Sequence, residues 1–370
     1  MIRAAAVAAL LAASPAFAGA QDPAWLRYYF SDVFEPFFAP DPADPARLRS
    51  RRPGSADQSF SARKPAGGVR VFLIGGSIAR IALDGPNPGN LQSALEAALP
   101  GRAVEVVNCG MSGYDSYREA LVEQEVLGYG PDALVLMTGH NEFLSSKPPP
   151  VWIAKASERL SRWKAYRALA GSLNHRPADR PERRAERDRA FAENLRRNLR
   201  EAGRRGVAVA ALEPPLNYRD GPADTPAPYR EPDFLKGWLA YAAGDCPKAL
   251  AAWRAAAPRG AGAALARFYG ARCRDRARDP LAMAAYEQAL AADDASARCG
   301  GTCRRTLRRL ASEEGAVIAE ADRAFREAAL PAAPGLEHFD DLVHWKPRCI
   351  ARCCANRCSP KWKRHTGQAN

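Results

Sequence analysis

Short apolar runs alternating with helical stretches constrain this chain more than any other feature. Val69 to Ile74 (VRVFLI) is rich in β-branched residues and closes on Gly75-Gly76, which reads as a buried strand ending in a turn. Leu91 to Leu99 reads as a helix, Val104 to Val107 as a second strand, and Ser116 to Tyr129 as a helix. Ala133 to Met137 (ALVLM) is a third strand, Ala190 to Gly203 a helix, and Val207 to Leu212 a fourth strand. Thr306 to Glu314 is helical and Ala316 to Ala319 gives a short last strand. Strands alternating with helices call for a parallel sheet covered by helices on both faces.

Other segments fall outside that alternation. Residues 1–20 (MIRAAAVAALLAASPAFAGA) carry Arg3, an apolar stretch from Ala4 to Ala13 and Ala16-Phe17-Ala18, the makings of a cleavable signal peptide. The stretch is shorter than the roughly 20 residues a membrane span needs, and the expectation is a periplasmic or secreted protein with no transmembrane anchor after cleavage. Trp25 to Phe38 is dense in aromatics and is expected to pack on the main domain, while residues 39–66, rich in Pro, Arg and Ser, read as a surface excursion. Residues 232–295 are Ala-rich and helical without strand signal. An offset of 33 aligns Pro247 with Pro280, Ala249 with Ala282, Trp253 with Tyr286 and Ala256 with Ala289. That spacing resembles a tetratricopeptide-type helical hairpin repeat of about 34 residues, here in two copies, fewer than the roughly three that stand alone. The hairpins are therefore expected to lean on the main domain as an all-α insertion and to offer a surface to a protein partner.

Four places carry chemical potential, each after a strand or in a loop, where open α/β sheets collect ligands. They are Gly75-Gly76-Ser77, Asn108-Cys109-Gly110, Gly139-His140-Asn141-Glu142, and the pair Asp341 and His344. A serine on a tight turn exposes its hydroxyl. A carboxylate three residues from an imidazole can fix its tautomer and leave the other ring nitrogen to take the serine proton. Singly, each piece is commonplace; together and in this order they are specific.

The four blocks resemble the SGNH (GDSL-like) serine hydrolase superfamily across about 69–145, 190–217 and 305–345. FEPFF (34–38), GGSIA (75–79), GHNEF (139–143) and PPLNYRD (214–220) are similar to an exported bacterial branch with a tetratricopeptide-like insertion. The resemblance implies a doubly wound, flavodoxin-like parallel sheet with helices on both faces. It divides the chain into a hydrolase domain at 21–231, the insertion at 232–295, and the rest of the hydrolase domain at 296–345. It implies Ser77 as nucleophile, His344 as general base and then acid, Asp341 as its orienting partner, and an oxyanion hole from Ser77, Gly110 and Asn141. No cofactor and no metal are implied. The expected substrate is a small-molecule or carbohydrate ester, hydrolysed to acid and alcohol. Transfer of the acyl group to a sugar hydroxyl, and a non-catalytic interaction role for the hairpins, are the alternatives. Two residues depart from the family pattern: Gly76 stands where Asp is usual, and Glu142 where Asp is common.

Cysteine and charge need locating before they are interpreted. Cys246 with Cys273, and Cys299 with Cys303, are placed to form disulfides, and Cys109 reads as a small buried residue. Cys349, Cys353, Cys354 and Cys358 crowd a basic tail whose spacing matches no common zinc pattern. The tail reads as a disordered end, as a metal or anionic-surface anchor, or as the product of a frameshift, which would leave the His344 loop short of support. Residues 346–370 hold seven of the basic side chains and no acid, so without them the net charge of +13 falls to +6, and to +5 without Arg3. Charge that concentrates in one terminus, on an exported chain, argues against a nucleic-acid partner.

Overall fold

In a computed structural model the described residues are 35–82 except 53, 91–142, 181–222 and 231–346 except 257, 259 and 294–297, with isolated positions at 156, 159, 160 and 163. The signal-like segment, residues 25–34 of the aromatic stretch, Phe143 and the four tail cysteines lie outside them.

Five parallel strands form the central sheet: β4 (Val69–Gly75), β5 (Val104–Gly110), β6 (Ala133–Met137), β7 (Ala208–Leu212) and β8 (Val317–Ala319). Their order is β5-β4-β6-β7-β8. Counted from β4 this is 2-1-3-4-5, the flavodoxin-like winding, whose switch point lies between the first and third strands. Every residue of β4 is buried. Phe72 and Ile74 enter one core with Phe191, Leu195, Leu199, Leu307 and Leu310. Val71 and Leu73 enter another with Ile78, Leu95, Phe325 and Phe339. The continuous apolar run in the sequence is thus the signature of a strand with a helical layer on each side.

The covering helices are α1 (Ser77–Ile81), α2 (Leu91–Ala98), α3 (Ser116–Val126), α4 (Pro181–Arg204), α9 (Gly301–Glu313) and α10 (Ala321–Ala329). Residues 39–66, expected as a surface excursion, are mostly exposed or half-buried, yet they form strands. They build a three-stranded antiparallel sheet with β1 (Phe38–Asp41), β2 (Asp44–Ser50) and β3 (Ser59–Ser61). Its apolar residues are too few for a periodic signal. Phe38 and Phe60 nevertheless meet edge-to-face, with centroids 5.0 Å apart, and join the core under Phe72. Phe37 and Phe38 are buried, and their N–H groups donate to the Glu125 carboxylate.

Between β7 and α9 lie α5 (Pro232–Ala242), α6 (Cys246–Ala256), α7 (Gly260–Arg276) and α8 (Ala282–Ala291). The indole of Trp253 sits against Gly237, where a Cβ would come within 2.2 Å of it, and its N–H donates to the Phe234 carbonyl at 2.9 Å. Tyr286 packs with Phe268, Leu216 and Tyr218, so the second helix pair rests on the loop that follows β7. Disulfides join Cys246 to Cys273 and Cys299 to Cys303. Cys109 is a free, fully buried thiol that burial pushes well above its ordinary pKa. Among the described residues no helix is long and apolar enough to cross a membrane.

Candidate active site

Ser77 follows β4 by two residues and Asn141 follows β6 by four, so both stand at the switch point. Gly75 is in register with Gly110 on one side and Met137 on the other. The start of α1 leans directly on β5: a Cβ at Gly110 would lie 2.1 Å from the Arg80 nitrogen. Asn108 ties the same junction from below. Its side-chain nitrogen donates to the carbonyls of Ala79 and Arg80 at 2.9 and 3.1 Å, and its Oδ1 accepts the Gly110 N–H at 2.8 Å.

Gly110 therefore does not fit the oxyanion role. Its N–H is committed to Asn108, and it is a glycine because the nucleophile-bearing helix packs where a side chain would be. The glycine whose backbone needs its freedom is Gly113, at φ 76° in the loop after β5. Beside it, the Tyr114 carbonyl accepts the Asn141 side-chain amide at 3.0 Å. A spacing pattern cannot separate two glycines three residues apart; only the packing against Arg80 does.

Gly76 also finds its reason. A Cβ there would stand 2.7 Å from the Asn141 amide nitrogen and 3.2 Å from the Tyr114 carbonyl. The missing side chain is the space that the Asn141 amide occupies. Glu142, the other departure, accepts the Ser116 N–H and hydroxyl, both at 2.9 Å, and so pins the Asn141 loop to the start of α3. Burial, and then the nearby Asp115 charge, push its carboxyl up to about 8.

Asp341 and His344 arrive from the far end of the chain. His344 Nε2 is 2.7 Å from Ser77 Oγ, and His344 Nδ1 is 2.6 Å from Asp341 Oδ2. The other Asp341 oxygen accepts the backbone N–H groups of Val343 and His344 at 2.9 and 2.8 Å. Burial raises the Asp341 carboxyl, but these donors and the imidazole outweigh it and hold the group below its ordinary value. The carboxylate keeps the imidazole proton on Nδ1 and leaves Nε2 as an acceptor facing the serine.

The loop carrying the pair has supports among the described residues. A bridge between Phe339 and Trp345 closes it, and both rings are buried beside Phe325. Asn217 latches it from the loop after β7. The Asn217 side-chain nitrogen donates to the Asp341 carbonyl at 2.9 Å, and its backbone N–H donates to the Leu342 carbonyl at 3.1 Å. Its Oδ1 accepts the Asp220 N–H at 2.9 Å. Asn217 lies in the PPLNYRD block, so the signal was visible although its partner, 124 residues away, was not. Among the described residues no group of three or more His, Cys, Asp and Glu side chains is placed to hold a metal ion.

Residues 73–232 match the model of the GDSL-like lipase/acylhydrolase family. The chain carries a GDSL-like lipase/acylhydrolase domain. The matched stretch holds Ser77 and Asn141 but ends before Asp341 and His344, which reach the site only through the fold. No curated protein matches the chain. Several solved structures share features with it at low similarity. A GDSL-like lipase from Bacteroides thetaiotaomicron VPI-5482 has 9% identity and a TM-score of 0.37, over 79% of this chain and 87% of its own. An acetylxylan esterase from Geobacillus stearothermophilus has 14% identity and a TM-score of 0.38, over 82% and 97%. An acetyl xylan esterase, AlAXEase, has 13% identity and a TM-score of 0.38, over 79% and 100%. Likenesses this low carry no argument about the substrate of this chain.

Proposed function

We propose that this GDSL-like domain hydrolyses acyl esters through Ser77, His344 and Asp341, and that it works in the periplasm or outside the cell on O-acyl groups of carbohydrate. The observation that carries the catalytic part is the continuous relay from Asp341 Oδ2 through the imidazole to Ser77 Oγ, with both links under 2.8 Å.

In this reading His344 Nε2 takes the serine proton as Oγ attacks the ester carbonyl. The carbonyl oxygen becomes an oxyanion at the mouth of the switch point. The Ser77 N–H at the start of α1 faces it, with one N–H of the Asn141 amide, whose other N–H serves Tyr114. His344 then returns its proton to the departing alcohol, which leaves an acyl-serine. Water, deprotonated by the same imidazole, attacks the acyl-serine and frees the acid and the serine.

Export is supported by the signal-like residues 1–20 and by two disulfides, which persist in oxidising compartments. A carbohydrate alcohol is supported by the openness of the relay: the Asp341 side chain is 52% exposed and that of His344 31%. Such a site leaves a bulky leaving group in solvent.

The test is hydrolysis of p-nitrophenyl acetate and labelling by a fluorophosphonate, with Ser77→Ala beside the parent. Hydrolysis and labelling that vanish in the variant are expected; equal labelling of both defeats the reading. Acetate release from acetylated oligosaccharide tests the substrate class, and the mass of the exported protein tests removal of the leader.

A further inference from the structure

The Cys299–Cys303 disulfide lies at the start of α9, and both of its sulfurs lie against Gly139. A Cβ at Gly139 would stand 2.7 Å from Cys303 Sγ and 2.8 Å from Cys299 Sγ. The next residue, His140, is buried, and its Nδ1 accepts the Cys299 N–H at 3.1 Å. The residue after that is Asn141. Gly139 and Asn141 both have positive φ, 105° and 61°, so the turn between β6 and the oxyanion amide is held in a sparsely populated backbone conformation.

We propose that the Cys299–Cys303 disulfide and His140 are positioning elements for the Asn141 amide, clamping the 139–141 turn so that the amide stays aimed at the site. The role given to Asn141 here rests on the proposed hydrolase mechanism.

Three observations support the clamp. First, the bridge closes only four residues within one helix turn, whereas Cys246–Cys273 spans 27. A ring that small removes little chain entropy, so a general stapling role explains it poorly. Second, its contact is with a segment about 160 residues away in sequence, the one that carries a site residue. Third, His140 accepts at Nδ1 and therefore carries its proton on Nε2. Burial, and then the Arg304 charge, push its pKa down to about 3, so the imidazole stays neutral and the acceptor persists over the working pH range. Sulfur against Gly139, and one backbone N–H to the His140 imidazole, hold the turn at its first left-handed residue and at the residue that precedes Asn141.

The experiment removes this disulfide alone, with Cys299→Ser/Cys303→Ser, in the full chain. Cys246→Ser/Cys273→Ser serves as the control. With p-nitrophenyl acetate, kcat of the first pair is expected to fall about ten- to a hundred-fold while KM changes little. Its ceiling is the loss from Asn141→Ala, about 10²–10³ for one oxyanion donor. The control pair is expected to keep kcat. Added to Asn141→Ala, the Cys299→Ser/Cys303→Ser change is expected to cost nothing further. His140→Leu should behave like the disulfide variant, and His140→Asn, which keeps an acceptor near the Nδ1 position, should recover most of the loss.

Independent additive losses, or an unchanged kcat, would overturn the proposal. A second readout stands apart from catalysis: the side-chain amide NMR signals of Asn141, assigned by their loss in Asn141→Ala. They should shift in Cys299→Ser/Cys303→Ser and not in the control pair. If the parent protein neither hydrolyses ester nor labels at Ser77, the hydrolase reading fails, and the amide signals alone decide the clamp. Unmoved signals reject it.

Discussion

The two halves of the site are held by different kinds of structure. Ser77 and Asn141 follow strands whose backbones are paired in register along their length, β4 with both β5 and β6. Asp341 and His344 sit on a loop that packs Phe339 and Trp345 under the sheet but pairs its backbone with no strand of it, closed by one bridge and latched by Asn217. The first half inherits its position from a cooperative sheet. The second half has to be placed by a few specific contacts. Local stability differs in the same way, because a loop with few backbone partners opens at lower cost than a central strand. Mutations should therefore act on catalysis alone in the first half and on catalysis and local order together in the second.

The largest expected effect comes from Asp341→Asn. The new Oδ1 still accepts from Val343 and His344, but the amide NH2 now faces Nδ1 and drives the proton to Nε2. A loss of about 10⁴ in kcat with little change in melting temperature is expected. A variant that kept its kcat would mean that the relay is not the catalytic unit.

Gly76→Asp comes next. Restoring the residue usual in the family puts a side chain where the Asn141 amide lies. The expected loss is about 10²–10³ in kcat, the value of one oxyanion donor. Because the strands beneath are untouched, unfolding by urea should change little. A large fall in stability instead would show that the sheet-borne half is less rigid than its register implies.

Asn217→Ala tests the latch. It leaves the Asp341 carbonyl without its side-chain donor, while the backbone N–H to the Leu342 carbonyl remains, at a cost of about 1–3 kcal/mol. The expected kcat loss is smaller, about ten-fold, with faster hydrogen exchange confined to residues 338–346. Exchange that also quickened in β4 would erase the contrast between the halves.

The smallest effect concerns Glu142, which ties the first half to α3. Its carboxyl is raised to about 8 in the folded protein, as is that of buried Glu123, from an ordinary 4.5. Between those values the folded state holds protons that the unfolded chain has released, so these groups lower stability as pH rises from about 4.5 to 8. His140 acts in the opposite sense, from about 6.5 down to 3, because the unfolded imidazole binds a proton that the folded one refuses. Above pH 6.5 His140 adds nothing further, while Glu142, Glu123 and Glu119, whose carboxyl burial also holds well above its ordinary value, lower stability, and the urea midpoint should fall. Glu142→Gln keeps an acceptor for the Ser116 N–H and should flatten that fall by up to about 1.4 kcal/mol per pH unit. An unchanged slope would remove Glu142 from the account.

The sheet itself was legible because short, mostly apolar strands alternate with helices, as β4, β6 and β7 do, even though β4 buries Arg70. The antiparallel β1–β3 sheet was not, since its burial comes from a few aromatics set among Pro, Arg and Ser. Helix α1 is only five residues long and carries no period. Ser77, Asn141, Asp341 and His344 were legible as residue types at strand ends and at a spacing of three. Gly110 was misread because its glycine answers a packing need that no local pattern distinguishes from a ligand-facing one.

The strand segments, the residues able to do the chemistry and the cysteines able to pair are all written locally in the chain. Which of them meet is settled by the folded interior. A strand's apolar character is set by the residues within it, whereas a contact such as His344 with Ser77, 267 residues apart, exists only once the sheet and its returning loop have closed the distance. The same holds for the pairing of Gly139 with a disulfide on α9 and for the space that Gly76 leaves to Asn141. These depend on close packing, which is a property of the assembled interior and is written in no single segment.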